Sequence, residues 1–152
     1  VDTHSRANLA KPVSSGLDFF MKRNLLLNAE LSHLIATMGH GDMLVIGDAG
    51  LPIPQVPNAP QRIDLAVCPG TPRLADVLRA VMSELQVQST VIATEALDAG
   101  GPPAWYTDQL NLTPRTVGHE EFKKMCGAAR AMVRTGECTP YANIILVSGV
   151  TF

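Results

Sequence analysis

A histidine set between two glycines, Gly39-His40-Gly41, is the grouping in this chain best suited to moving a proton. Carboxylates follow at Asp42 and Asp48. Flanked by residues without side chains, the imidazole is uncrowded. A histidine near the ordinary pKa of about 6.5 can both give and take a proton at neutral pH. The intervening MLVIG at 43–47 is short and wholly apolar, the pattern of a strand buried on both faces. Asp48 then stands at the carboxyl end of that strand, where open α/β sheets gather ligands. A carboxylate there could fix the tautomer of His40 or hold a substrate hydroxyl. The same residues also read as a helix-stop turn at Gly-His-Gly and a loop cap at Asp48. A metal reading stays open too, since His40, Asp42 and Asp48 offer one nitrogen and two carboxylates to a divalent ion. No H-E-x-x-H or similar spacing supports it.

Two further groupings carry usable chemistry. His119 and Lys123 are four residues apart, so on a helix they share one face, with Glu120 and Glu121 beside them. The alternative is a solvated first turn in which His119 is the N-cap. Between Arg134 and Asn143 lies a polar turn flanked by apolar strands, in which Tyr141 and Asn143 alternate and project the same way if the backbone is extended. A phenol and a carboxamide each donate and accept, which suits sugar hydroxyls. A plain hairpin turn punctuated by Gly136 and Pro140 fits equally well. Trp105 and Tyr106 could stack on a sugar face or pack as loop aromatics. No G-x-G-x-x-G, G-x-x-x-x-G-K-[ST] or G-x-S-x-G string is present, and Cys68 has no base partner in the sequence.

These residues need a scaffold, and the patterning supplies one. Residues 28–38 read as a helix with Asn28 as N-cap and Leu31, Leu34, Ile35 and Met38 on one face. The proline-rich residues 51–61 are expected to form an irregular loop, and residues 62–67 a strand. Thr71 is expected to cap a second helix with Pro72 in its first position and Leu74, Val77, Leu78, Val81, Met82 and Leu85 facing inward. Strands are predicted over 87–94, around 115–117, over 131–135 and over 144–150. Short helices are predicted near 105–110 and 119–125. Such alternation points to an α/β fold: a single domain with a largely parallel sheet and flanking helices.

The bulk properties narrow the partners. A chain of 152 residues fits one domain and can bury roughly two-thirds of its unfolded surface. Net charge is −2 and no basic stripe is present, so nucleic acid has no support. No apolar run reaches the roughly 20 residues that cross a bilayer, which argues against a membrane partner. Three cysteines without a C-x-x-C pair fit a reducing compartment. Residues 1–20 have charges where a secretory signal is apolar. They are expected to be an expression remnant or a disordered extension, with Met21 as the native start.

Seven strings stand in order along the chain: LNAEL at 27–31, GHGD at 39–42, IGDAGLPIP at 46–54, RIDLA at 62–66, HEEFK at 119–123, VRTGE at 133–137 and TPYAN at 139–143. Together they resemble the D-ribose pyranase family, part of a superfamily shared with L-fucose mutarotase, over residues 21–152. The strings at 48–54 and 62–66 look more like the ribose branch. The resemblance implies a cytoplasmic isomerase that interconverts sugar ring forms without a cofactor. It implies a catalytic histidine at His40 and sugar contacts from Asp48, His119, Tyr141 and Asn143, to which Lys123 is added here as a further expected contact. It also implies homo-oligomeric rings, typically two stacked pentamers making a decamer, with sites completed by a neighbouring subunit. The GGPP at 100–103 and the residues near Trp105 depart from the family pattern. Three alternatives remain: an L-fucose-type mutarotase, a non-catalytic sugar-binding module of a ribose uptake system, and a metal-dependent hydrolase using His40, Asp42 and Asp48.

Overall fold

In a computed structural model the described residues are 21–152, so the expectation for residues 1–20 lies outside them. Helix α1 (Ala29–Thr37) starts where its cap requires. The Asn28 side chain accepts from the Leu31 N–H at 2.9 Å, and Leu31 and Leu34 enter the core. The chain then turns through Gly41, whose φ of 84° favours glycine, into strand β1 (Met43–Gly47).

Strand β2 (Gln61–Asp64) is shorter than expected from the alternation over 62–67. Asp64 accepts from the Ala66 N–H at 3.1 Å, and the Val67 and Cys68 N–H groups bond to the Thr71 carbonyl, so the backbone leaves the sheet for a closed turn. That turn also displaces the expected Thr71 cap. Helix α2 (Leu74–Met82) begins later, and the distant Glu137 carboxylate accepts from the Leu74 N–H at 3.1 Å. Its inner face is the expected one, with Leu74, Val77, Leu78 and Val81 buried.

The remaining elements are β3 (Val87–Ala93), a 3₁₀ turn (Thr94–Ala96), α3 (Ala104–Thr107), β4 (Arg115–Val117), α4 (His119–Cys126), β5 (Ala131–Arg134) and β6 (Ile144–Ser148). The six strands form one sheet in the order β2-β5-β1-β6-β3-β4. Strand β5 is parallel to β1 and β2, β4 is parallel to β3, and only β6 runs antiparallel to its neighbours β1 and β3. The sheet is therefore largely parallel, as expected. Strands β5 and β6 have β1 between them, so residues 135–143 cross the end of β1 and are not a hairpin turn.

Each face of the sheet has its own core. Leu44 and Ile46 join α1, α2 and Tyr106 of α3 on one side, whereas Val45 packs with Phe122 and Cys126 of α4 on the other. Helices on both faces explain why the β1 sequence is apolar without alternation. Tyr106 is part of the core, its hydroxyl 2.6 Å from Thr90 Oγ1 and donating to the Leu112 carbonyl at 2.7 Å. Trp105 packs half-buried beside it, so this pair belongs to the loop-packing reading. No helix among the described residues is long and apolar enough to cross a membrane.

Candidate active site

The carboxyl end of β1 meets the start of β6 and the first turn of α4 around a pocket of about 230 Å³, lined by Asp48, Gly50, Leu51, Pro52, His119, Tyr141 and Asn143. Four residues singled out from the sequence thus converge on one small cavity. Its size is below the range of roughly 300–1,000 Å³ typical for drug-sized ligands, and suits something smaller.

Asp48 and Asn143 hold each other. The Asp48 N–H donates to Asn143 Oδ1 at 2.8 Å, and Asn143 Nδ2 donates back to Asp48 Oδ2 at 3.2 Å. The other carboxylate oxygen accepts from the Gly50 N–H at 2.9 Å. Asn143 is fully buried, so its amide can adopt few orientations once these bonds form. The approach is close at Gly47, where a Cβ would lie 2.6 Å from Leu51 Cδ2 and 3.0 Å from Asn143 Oδ1, so a larger residue there would push on Leu51 and Asn143. Around this pair the loop at 48–50 is held on two sides. Arg134 Nε donates to the Ala49 carbonyl at 2.9 Å, and the Ala49 N–H donates to the Glu137 carbonyl at 2.8 Å. The buried Thr135 hydroxyl donates to the Gly47 carbonyl at 2.8 Å.

Tyr141 reaches the pocket by a different route from the expected extended backbone. Its φ is 61°, and the Asn143 N–H donates to the Tyr141 carbonyl at 2.8 Å, so a tight turn delivers both side chains. The Tyr141 ring stands edge-on to His119, with centroids 5.0 Å apart and planes at 78°. His119 opens α4 but is not its cap. Gly118 holds that position, and the His119 N–H donates to the Glu95 carboxylate at 2.8 Å. His119 Nδ1 is buried and has no hydrogen-bond partner among the described residues.

Lys123 lies outside the lining. Its ammonium sits 2.9 Å from Glu120 Oε1, and that hydrogen bond holds the Glu120 carboxyl below its ordinary pKa. His40 is at the other end of β1, separated from Asp48 by a five-residue strand that spans about 17 Å. It borders a separate cavity of about 450 Å³ with Met38, Gln86, Ser148 and Phe152, and its Nε2 is 2.9 Å from Gln88 Oε1. The idea that Asp48 orients His40 is therefore corrected within one chain, because the strand that links them also holds them apart.

The metal triad does not form either. Asp42 accepts from the Gly39 N–H and from Arg130 Nη1, each at 2.8 Å, and Asp48 is at the far end of the strand. Among the described residues no group of three His, Cys, Asp or Glu side chains is arranged to hold a metal ion. The Gly39 N–H bond, with Arg130, keeps the Asp42 carboxyl below the usual carboxylate range. Cys68 and Cys138 are exposed, while burial pushes the Cys126 thiol up to about 12. Sequence reasoning missed Glu95, Thr135, Gly47 and Gln88. Each acts through a fold contact with a residue distant in sequence.

The sheet, its two helical layers and a small pocket at the carboxyl end of β1 define a single-domain α/β protein with a candidate ligand site. The chain belongs to the RbsD / FucU transport protein family, whose model matches residues 21–151. It is 61% identical over 135 residues to the D-ribose pyranase of Variovorax paradoxus, covering 87% of this chain and 100% of that protein. The D-ribose pyranase of Chloroflexus aggregans is 55% identical over 137 residues, with the same coverage. Among solved structures, Bacillus subtilis RbsD complexed with D-ribose superposes with a TM-score of 0.72 at 36% identity, covering 87% of this chain and 100% of that one. The Streptococcus pneumoniae fucose mutarotase in complex with L-fucose gives 0.66 at 26% identity, covering 82% and 94%. The family expected from the seven strings is borne out.

Proposed function

We propose that this chain is an isomerase that interconverts the pyranose and furanose forms of D-ribose. The observation that carries this reading is the convergence of Asp48, His119, Tyr141 and Asn143 on one small pocket, in a chain 61% identical to a D-ribose pyranase. The reaction asks little of a protein. A hemiacetal ring opens when the anomeric hydroxyl loses a proton and the ring oxygen gains one, and the aldehyde recloses through another hydroxyl. No hydride or phosphate moves, and no cofactor is needed. Asp48, His119, Tyr141 and Asn143 hold the sugar hydroxyls, with Lys123 available from the next turn of α4. His40 transfers the proton.

Because β1 separates His40 from the pocket, the complete site takes His40 from a neighbouring copy. This favours a homo-oligomer, and the pentameric rings paired into a decamer that the resemblance implies supply such neighbours. Three free cysteines fit a cytoplasmic location. A second reading, ribose binding without catalysis, draws on the same separation, since the pocket in one copy lacks His40.

Equilibrium ring exchange of D-ribose, followed by NMR magnetisation transfer with catalytic amounts of protein, discriminates the two. The expected result is faster pyranose–furanose exchange that His40→Ala removes. Ribose binding with no acceleration would leave only the binding module. Acceleration of L-fucose anomer exchange with none for ribose would move the chain to the fucose branch.

A further inference from the structure

Strand β3 departs from regular pairing at one place, and that place faces His40. The register with β6 passes from Val87↔Ser148 to Ser89↔Val147, so Gln88 is an extra residue with no partner across the ladder. Gln88 and Ser89 are consecutive and both exposed, where a regular strand would alternate. Bulges of this kind re-aim a side chain. Here the re-aimed group is the Gln88 carboxamide, with Oε1 2.9 Å from His40 Nε2. Across from it stands Gly149, where a Cβ would lie 3.1 Å from Gln88 Cβ.

The loop carrying His40 is tied to the same strand end. The Gly41 N–H donates to the Ser148 carbonyl at 2.9 Å, the Ser148 hydroxyl donates to the Gly39 carbonyl, and the Ser148 N–H donates to the Asp42 carbonyl at 2.9 Å. Ser148 thus fixes the backbone on both sides of His40, and the bulge beside it fixes the ring. A hydrogen bond between two exposed side chains adds little to stability, so the bulge calls for another reason.

We propose that Gln88 is a positioning residue that sets the tautomer and orientation of His40, and this rests on the proton-transfer role given to His40 above. In this proposal the Gln88 carboxamide turns its oxygen to Nε2, and Nε2 carries the proton and donates. Nδ1 then keeps its lone pair and is the atom that accepts a proton from the sugar and returns it. No atom beyond Nδ1 and the two sugar oxygens takes part in the transfer.

The test uses the full chain labelled with ¹⁵N in its imidazole rings, at about pH 8, where an ordinary histidine is neutral. Long-range proton–nitrogen correlations report the tautomer, with the His40 signals identified by their loss in His40→Ala. The wild type is expected to show an Nε2–H tautomer. Gln88→Lys offers only donors to Nε2, so it should invert His40 to the Nδ1–H form and slow ribose ring exchange roughly ten- to a hundredfold. Gln88→Leu, which offers neither, should give a mixture of tautomers and a smaller loss. An unchanged His40 tautomer in both variants would overturn the proposal. Inversion with undiminished exchange would overturn the assignment of Nδ1 as the accepting atom, whereas undiminished exchange in His40→Ala would overturn the role of His40 itself.

Discussion

Asn143 bonds to Asp48 through both ends of its amide, yet it is fully buried and offers the pocket little more than one face. Removing that amide strands the Asp48 N–H and one carboxylate oxygen. Asn143→Ala is expected to lower stability by about 1–3 kcal/mol in urea unfolding and to weaken ribose binding. His40 gives the opposite signature. Its side chain is exposed and, among the described residues, hydrogen-bonds to Gln88 alone, so His40→Ala should leave the unfolding midpoint close to wild type. Ring exchange should nonetheless slow by about 10²–10⁴, the usual share of a general acid–base group. At this scale the sequence singled out four side chains that line one pocket and was silent about their partners. Glu95 meets the His119 N–H across 24 positions, and no local pattern signals such a bond.

Elements followed the sequence where their signals were local. Asn28 caps α1 and MLVIG forms β1, because a cap and an apolar run are properties of neighbouring residues. The start of α2 was misread because Thr71 spends its carbonyl on the turn from Val67, and the cap comes instead from Glu137. Glu137→Ala should therefore cost about 1 kcal/mol of stability, detectable as a lower urea midpoint. The element ends also predict a pH response. Hydrogen bonds hold Asp42 (first from the Gly39 N–H, then Arg130) and Asp64 (first from Arg62, then Ala66 and Arg134) below their ordinary pKa. Their folded pKa values lie under the unfolded ones, so their stabilisation is present above about pH 4 and is lost as pH falls through the folded values. Urea midpoints should drop on acidification below pH 4, and the Asp42→Asn, Asp64→Asn double variant should drop less. Both carboxylates are partly exposed, so the effect will be small and will shrink with added salt.

At the scale of the whole molecule, sequence proximity was the misleading guide. His40 and Asp48 are eight positions apart, but the strand between them carries them to opposite ends of the sheet. Tyr141 and Asn143, far along the chain, arrive beside Asp48 because β6 pairs antiparallel with β1. The topology that gathers Asp48, His119, Tyr141 and Asn143 around one pocket therefore leaves His40 outside it in the same copy. The most direct test is ribose ring exchange in assemblies formed by co-refolding equal amounts of His40→Ala and Asp48→Asn chains, each expected to run far below the wild-type rate alone. A site shared between copies should recover about a quarter of the wild-type rate, since half the neighbours supply His40 and half the pockets retain Asp48. A mixture no more active than its parents would contradict a ring-exchange site completed by His40 of a second copy.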